Sequence, residues 1–386
     1  MWTGACTSQV GTQMQTAAQS WLVLDLSMDN ATYLGIDQFL GQIPIVLFSL
    51  LGGVLADRRD RRVFLLSSQY AQMTCALVLA TLAITGVVQV WHVWCLSFIV
   101  GTAQAFGGPS YSALVPSLVP KEHLTNAIAL NSMQFNLARV IGPTLGGVTL
   151  AMLGAAWCFY LNAGSFVAVI ITLYMIRVNY VPPRSREPIL TSMRQGIHFI
   201  QAQPGMRGLN VLAFLVTFFG FQTIAFLPVV AREVFQAGPQ TFTLMLSFSG
   251  AGAVTGALMV AAYGKTKHMG RKALIGLMAL GIITVGFAQS PTVPISCVMI
   301  FMAGMALMGV FSMISSLVQL NTPDDMRGRV MSVFNLALRG GGPVGALVAG
   351  WLIPIYTVPV VLAGAGLGMF LLGLYFLLIQ RRVAEL

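Results

Sequence analysis

Gly53-Val54-Leu55-Ala56-Asp57-Arg58-Arg59-Asp60-Arg61-Arg62 ends one long apolar run and opens another. Four arginines and two aspartates sit within these ten residues. The flanking runs are each long enough to cross a bilayer as a helix, which takes about 20 mostly apolar residues. Charges gathered between two such runs belong in water. The decade therefore reads as a loop joining two membrane helices.

The rest of the chain repeats this grammar. Of its 386 residues, 56% are hydrophobic and 8% are charged, with a mean hydropathy of +0.81. A soluble domain carries about 25% charged residues to cover its surface. Lipid is the solvent that this composition suits. Candidate spans are 2–25, 33–56, 63–86, 92–115, 126–153 and 155–176, then 208–231, 241–264, 272–289, 293–319, 329–353 and 357–379. A polar, Pro-containing stretch from Arg177 to about Arg207 divides them six and six. Met1 to Ser20 has no Lys or Arg, unlike the basic start of a signal peptide. It reads as the first membrane helix, with room for a short cytoplasmic arm ahead of it.

The net charge of +10 is less telling than its distribution. With the N-terminus in the cytoplasm, the inner loops hold the Arg58–Arg62 cluster, Lys121, Arg177, Arg184, Arg186, Arg194, Arg207, Lys265, Lys267, Arg271, Lys272, Arg327 and Arg329. Arg381 and Arg382 follow in the tail. Arg232 alone lies outside, and Arg139 and Arg339 fall within spans. Basic loops stay on the cytoplasmic side, so this asymmetry supports both the count and the orientation. It leaves no folded basic face for nucleic acid. Cys6, Cys75, Cys95, Cys158 and Cys297 lie in or beside apolar runs, as small packing residues do. The four histidines are scattered singly, with no metal-ligand spacing. No phosphate-binding loop is spelled, which argues against ATP drive. No paired acids or His–Glu set inside a span suggests an enzyme.

Span five reads Phe135-Asn136-Leu137-Ala138-Arg139 and then Gly142-Pro143. Span eleven reads Phe334-Asn335-Leu336-Ala337-Leu338-Arg339 and then Gly342-Pro343. The Arg and Gly-Pro elements match at an offset of 200, and the inner loops preceding them match as Val119-Pro120-Lys121-Glu122 against Thr322-Pro323-Asp324-Asp325. Two six-helix repeats are one way to build a transporter around a central site.

The loop at Gly53–Arg62 resembles the signature between helices two and three of the major facilitator superfamily, with Asp60 where that family usually has Gly. Val119-Pro120-Lys121-Glu122, Asn126 to Ser132 and Arg139 with Gly142-Pro143 are similar to the branch of enterobactin exporters and macrolide efflux proteins. The resemblance covers essentially the whole chain. It implies an all-α membrane protein of the major facilitator fold, with twelve transmembrane helices in two pseudo-symmetric six-helix bundles. These would be residues 1–178 and 207–386, joined by a cytoplasmic linker over 179–206. It also implies a secondary transporter working by alternating access, exporting a drug-like compound or a siderophore by proton antiport. No cofactor is expected. The expected partners are a small-molecule substrate, protons and the bilayer, for a monomer in the bacterial inner membrane with both termini cytoplasmic. A lysophospholipid transporter and a non-transporting receptor are the alternatives on the same fold.

In that family the acid equivalent to Asp57 meets the start of helix eleven, here near Arg327-Gly328-Arg329. Gly53, Asp57, Arg58, Arg61, Arg62 and Arg327 are thus expected to form a cytoplasmic gate; a plain positive-inside anchor is the alternative. Arg139 and Arg339 lie about mid-helix, where a charge needs water or a partner. They are expected either to reach a central cavity from opposite halves or to lock onto helix carbonyls, Asn136 or Asn335. On span one, Gln9, Gln13, Thr16 and Ser20 fall on one face, flanked by Ser8, Thr12, Gln15 and Gln19. A polar face this wide lines either a watery cavity or other helices. Gln104 is the polar residue of span four and joins the cavity candidates. Asp37 and Asp25 are the candidate proton carriers, Asp37 being equally suited to a water-facing outer rim. Gly142 to Gly147 resembles the tail of the antiporter signature, with Ala138 at one upstream glycine place. Phe214, Phe218, Phe221, Met302, Met305, Met308 and Phe311 offer either core packing or an adaptable apolar wall.

Overall fold

A computed structural model describes residues 2–58, 60–114, 118–176, 189–263 and 268–385. Within these it describes the backbone alone at Leu50, 53–58, Ala113, Lys121, Thr125, Ile189, Leu190, Ser192 and Tyr263. The chain divides into two compact units, Met1–Arg186 and Glu187–Leu386.

The first unit holds α1 (Trp2–Leu26), α2 (Ala31–Arg58), α3 (Arg61–Ile84), α4 (Val90–Leu114), a 3₁₀ turn (Lys121–His123), α5 (Leu124–Leu153) and α6 (Ala155–Met175). The second holds α7 (Ile189–Ala202), α8 (Pro204–Ala225), α9 (Leu227–Val229) running into a π-turn (Val230–Val234), α10 (Pro239–Tyr263), α11 (Met269–Ala288), α12 (Val293–Leu320), α13 (Arg327–Tyr356) and α14 (Val358–Leu378). Helices suit this composition because each backbone N–H and C=O is bonded within its own segment, as lipid demands. Ten of them are long and apolar enough to cross a membrane. α1 and α5, of 25 and 30 residues, have the length but more polar sequences.

Outward faces are apolar. Val360, Leu367, Leu371 and Leu378 of α14 are all more than half exposed, a liability in water that hydrocarbon removes. Span seven of the sequence reading begins earlier and ends sooner in the structure. α8 stops at Ala225, and Pro228 precedes the π-turn; proline has no N–H to continue the helix ladder. Residues 189–202, inside the expected linker, form α7. It packs on α13 and α8 of its own unit, with Gly196 against the carbonyl of Arg329.

Each unit packs its helices by the same plan. α2 lies on α4, α1 on α5 and α6, and α3 on α4 and α6; likewise α10 lies on α12, α8 on α13 and α14, and α11 on α12 and α14. The bounds of α5 and α6 recur in α13 and α14 at an offset of 203. Gly142, beside the Val10 carbonyl of α1, corresponds to Gly345, beside the Phe218 carbonyl of α8. The repeat in space is therefore three residues out of step with the Arg and Gly-Pro spelling. Three residues turn a helix side by about 60° and shift it by about 4.5 Å. This corrects the expected equivalence: Arg139 corresponds to Gly342, and Arg339 to Asn136.

Candidate functional site

A buried polar cluster lies near the end of α1 and the starts of α2 and α4. By helix rise it is roughly two turns in from that end of unit 1. Asp37 of α2 is only 3% exposed. Its Oδ1 accepts from Ser97 Oγ of α4 at 2.5 Å. Gln19 Nε2 of α1 donates to Asp37 Oδ2 at 2.9 Å and to Ser97 Oγ at 2.9 Å. Nearby, Gln38 Nε2 donates to Ser20 Oγ at 3.4 Å. Asp37 is thus not a rim residue. Its carboxyl joins three helices through hydrogen bonds, the condition under which a buried polar group is tolerated. Asp25, near the end of α1, is exposed.

Ser97 is not among the sequence candidates, although it carries a signal. α4 places Ser97, Gln104 and Tyr111 seven residues apart, a spacing that keeps them on one face of the helix. Each meets a different neighbour. Gln104 Nε2 donates to Gln72 Oε1 of α3 at 3.3 Å, and Ser68 Oγ of α3 donates to the Ala103 carbonyl at 2.7 Å. Tyr111 donates to Asn131 Oδ1 at 3.0 Å and accepts from Gln134 Nε2 at 2.8 Å. Gln104 is therefore half-buried glue between α3 and α4 as well as a cavity candidate.

The polar face of α1 divides by function. Gln15 accepts from Asn162 Nδ2 of α6 at 2.6 Å, and Gln19 serves Asp37. These flanking residues do the interhelical bonding. Gln9 and Gln13 are half-buried and have no hydrogen bond to any described residue. Thr16 is exposed and bonds back to the Thr12 carbonyl at 2.9 Å. α1 and α5 lie in parallel register: Trp2 Nε1 donates to the Leu130 carbonyl at 2.8 Å, and Gly146 sits on Met14. That register brings Arg139 level with Gln9. Arg139 is exposed and unpaired among the described residues, and Asn136 bonds the Ser132 carbonyl at 2.9 Å instead. The helix-lock reading of Arg139 is not what the structure holds.

In unit 2, Phe221 occupies the place that Gln13 has in unit 1, as the Val10–Phe218 correspondence dictates. Phe214 stacks with Phe218 at 6.4 Å, and Phe221 meets Phe311 of α12 at 5.9 Å. Met302 is exposed, with Met305 and Met308 half-buried on the same helix. Arg339 and Asn335 are exposed, and neither bonds a described residue. Unit 1 thus presents an amide and guanidinium edge, and unit 2 an aromatic edge beside a guanidinium.

At the basic-loop end, Gly53, Asp57 and Arg58 have side chains outside the described residues, so the expected gate contact lies outside them too. Arg61 is half-buried. Arg62 donates from its guanidinium to the Tyr174 carbonyl at 3.0 Å. Asp60, the departure from the family pattern, accepts from the Arg62 backbone N–H at 2.8 Å. It thereby caps the start of α3, satisfying one of the N–H groups that a helix leaves open there. Arg327 opens α13 and pairs with Asp324 at 2.6 Å. Cys75, Cys158 and Cys297 are buried, while Cys95 is exposed.

Two units of six long helices each, built to one packing plan, with polar edges inside membrane-length helices, define a polytopic membrane transporter rather than an enzyme. The family described as transmembrane secretion effector matches residues 1–386, and the chain belongs to it, within the major facilitator superfamily. The chain is similar to the enterobactin exporter EntS of Salmonella typhi, 30% identical over 86% of this chain and 79% of that protein. EntS of Shigella boydii is 28% identical over the same shares. Among solved structures, the nucleoside transporter NupG matches with a TM-score of 0.73 at 14% identity, covering 97% of both chains. A bacterial homologue of the human lysosomal transporter Spinster matches with a TM-score of 0.71 at 14% identity, covering 99% of this chain and 95% of that one. At such identities the structures speak to the fold alone.

Proposed function

We propose that this transporter exports an amphipathic small molecule, a drug-like compound or a siderophore, in exchange for protons by alternating access. It does so in the bacterial inner membrane with both termini in the cytoplasm. The observation that carries the coupling is the buried Asp37 carboxyl held by Gln19 and Ser97. An intramembrane carboxyl with named partners is a proton-relay candidate by default. When Asp37 takes a proton, one of its oxygens becomes a donor that Ser97 Oγ can accept by turning its own hydroxyl away, and the bonds from Gln19 to Asp37 and Ser97 rearrange with it. Gln19 lies on α1, the helix that also presents Gln9 and Gln13. A proton at one end of α1 is thereby felt at its unpaired polar edge.

The cargo class rests on the two edges and on the printed function of the EntS relatives. Amides and a guanidinium suit hydroxyl and anionic groups. Phe214, Phe218 and Phe221 suit aromatic or aliphatic parts. Gly53, Asp57, Arg58, Arg61, Arg62 and Arg327 are proposed as the cytoplasmic gate.

The test uses everted vesicles with an acidic interior and a panel of labelled amphipathic drugs and catecholate siderophores. Wild type should accumulate at least one compound, and a protonophore should abolish that uptake. Asp37→Asn should lose gradient-driven uptake yet still bind the compound, while Asp25→Asn should retain uptake. Gradient-driven uptake by Asp37→Asn would remove Asp37 as the carrier. Folded wild-type protein that moves no compound would sink the export reading.

A further inference from the structure

We propose that the outward face of α3 and α6 holds an anionic phospholipid, with its phosphate on Arg62, Tyr70 and Tyr174 and an acyl chain along the groove between the two helices. Of this face, the transport reading uses Arg62 alone, as a gate residue; Tyr70, Tyr174 and the groove have no part in it.

The polar end of the site is built by three side chains. Arg62 lies in the first turn of α3, and Tyr174 in the last turn of α6. The Arg62 guanidinium donates to the Tyr174 carbonyl at 3.0 Å and lies 5.7 Å from the centre of the Tyr174 ring. Tyr70, two turns along α3, donates to the Tyr174 hydroxyl at 3.4 Å. Both tyrosines are exposed, Tyr70 by 41% and Tyr174 by 58%. A guanidinium has five N–H donors, and the carbonyl uses one. The Arg62 Nε is enclosed without a partner, so the terminal N–H groups that the Tyr174 carbonyl leaves unused are the ones a ligand can meet. Among the described residues no ion pair satisfies the group: Asp60, the adjacent acid, bonds the Arg62 backbone instead. A half-buried guanidinium with unmet donors, between two hydroxyls at the membrane boundary, needs an anionic oxygen acceptor. Lipid phosphate is the acceptor present at that depth, and basic pockets between membrane helices bind such headgroups.

Below this cluster the groove is apolar. Val63, Tyr70 and Leu77 recur every seven residues on α3, and Val167, Ile171 and Tyr174 share one face of α6; all six are exposed. At the far end, the Thr81 and Tyr160 hydroxyls approach to 3.3 Å. Tyr70 and Thr81 are separated by about 16 Å of helix rise, close to the length of an acyl chain. The preference for an anionic headgroup follows from charge, since the ammonium of a zwitterionic lipid repels the guanidinium.

The test is lipid retention by the purified full-length chain in nanodiscs of phosphatidylcholine doped with phosphatidylglycerol, read by native mass spectrometry and thermal unfolding. Wild type should retain phosphatidylglycerol in preference and unfold at a higher temperature in its presence. The Tyr70→Phe/Tyr174→Phe double variant keeps both rings, and its preference should fall roughly tenfold through one lost hydrogen bond to a charged group, that of the Tyr174 hydroxyl, which Tyr70 orients by donating to it. Arg62→Ala should abolish the preference; if it fails to fold, the double variant decides. Arg382→Ala removes the same charge elsewhere and should change nothing. Absence of a preference in wild type, an unchanged preference in the double variant, or an equal loss in Arg382→Ala would each overturn the proposal.

Discussion

Thr357, between α13 and α14, has φ of 78° and ψ of 154°. L side chains avoid that region, and a β-branched residue avoids it most. The matching joint between α5 and α6 uses Gly154 at φ of 88° and ψ of 172°. One turn geometry is thus met by glycine in unit 1 and by strain in unit 2. Thr357→Gly should stabilise the protein by about 1 kcal/mol, the strain that such a backbone stores. Gly154→Thr should cost a similar amount. Thermal unfolding in detergent checks both signs. Asp60 teaches a different lesson at this scale. In the sequence it is a departure from a family pattern, while in the structure it works as a helix cap.

At the level of the helix, small residues set how closely neighbours approach. Gly252 of α10 lies against the Phe301 carbonyl of α12, with no room for a methyl group. Lipid offers little hydrophobic force between helices, so close packing supplies much of the association. Gly252→Ala should therefore destabilise by about 1–3 kcal/mol through overpacking. Gly164, on the open face of α6, has nothing within 4 Å of an added Cβ. Gly164→Ala should be neutral or stabilise by about 0.5–1 kcal/mol, because alanine favours the helix. Denaturation of the two variants side by side separates packing from propensity; equal effects would contradict this account. The same scale explains α7. At 14 residues it is too short to span. Its face toward α13 becomes visible only when both are folded.

For the whole molecule, the sidedness read from the basic loops is testable. In a cysteine-free background, Val87→Cys, in the turn between α3 and α4, should react with a membrane-impermeant maleimide on intact cells. Arg381→Cys in the tail should react only after permeabilisation. The reverse pattern would invert the orientation and with it the direction assigned to transport. Val87 is 57% exposed and Arg381 is exposed too, so accessibility within the chain does not limit either label.

Composition, apolar run length and basic-loop placement were enough for an all-helical membrane protein, because the bilayer imposes one length and one hydrogen-bonding solution on every span. Family membership was likewise legible in the Gly53–Arg62 loop. Asp37 stood out as an acid in an apolar run. Its partners Gln19 and Ser97 are 18 and 60 residues away, and no local pattern ties them to it. The repeat was legible in spelling: the match of Val119–Glu122 with Thr322–Asp325 is in step with the helices, and the match of the Arg and Gly-Pro elements is three residues out. Letters recorded where Arg and Gly-Pro recur, whereas the register of α1 on α5 and of α8 on α13 is set by where glycine lets backbones meet. The split of α1 into bonded and unbonded glutamines was decided by tertiary structure for the same reason. A helix brings all its polar residues to one face, but only the neighbouring helices determine which of them find a partner.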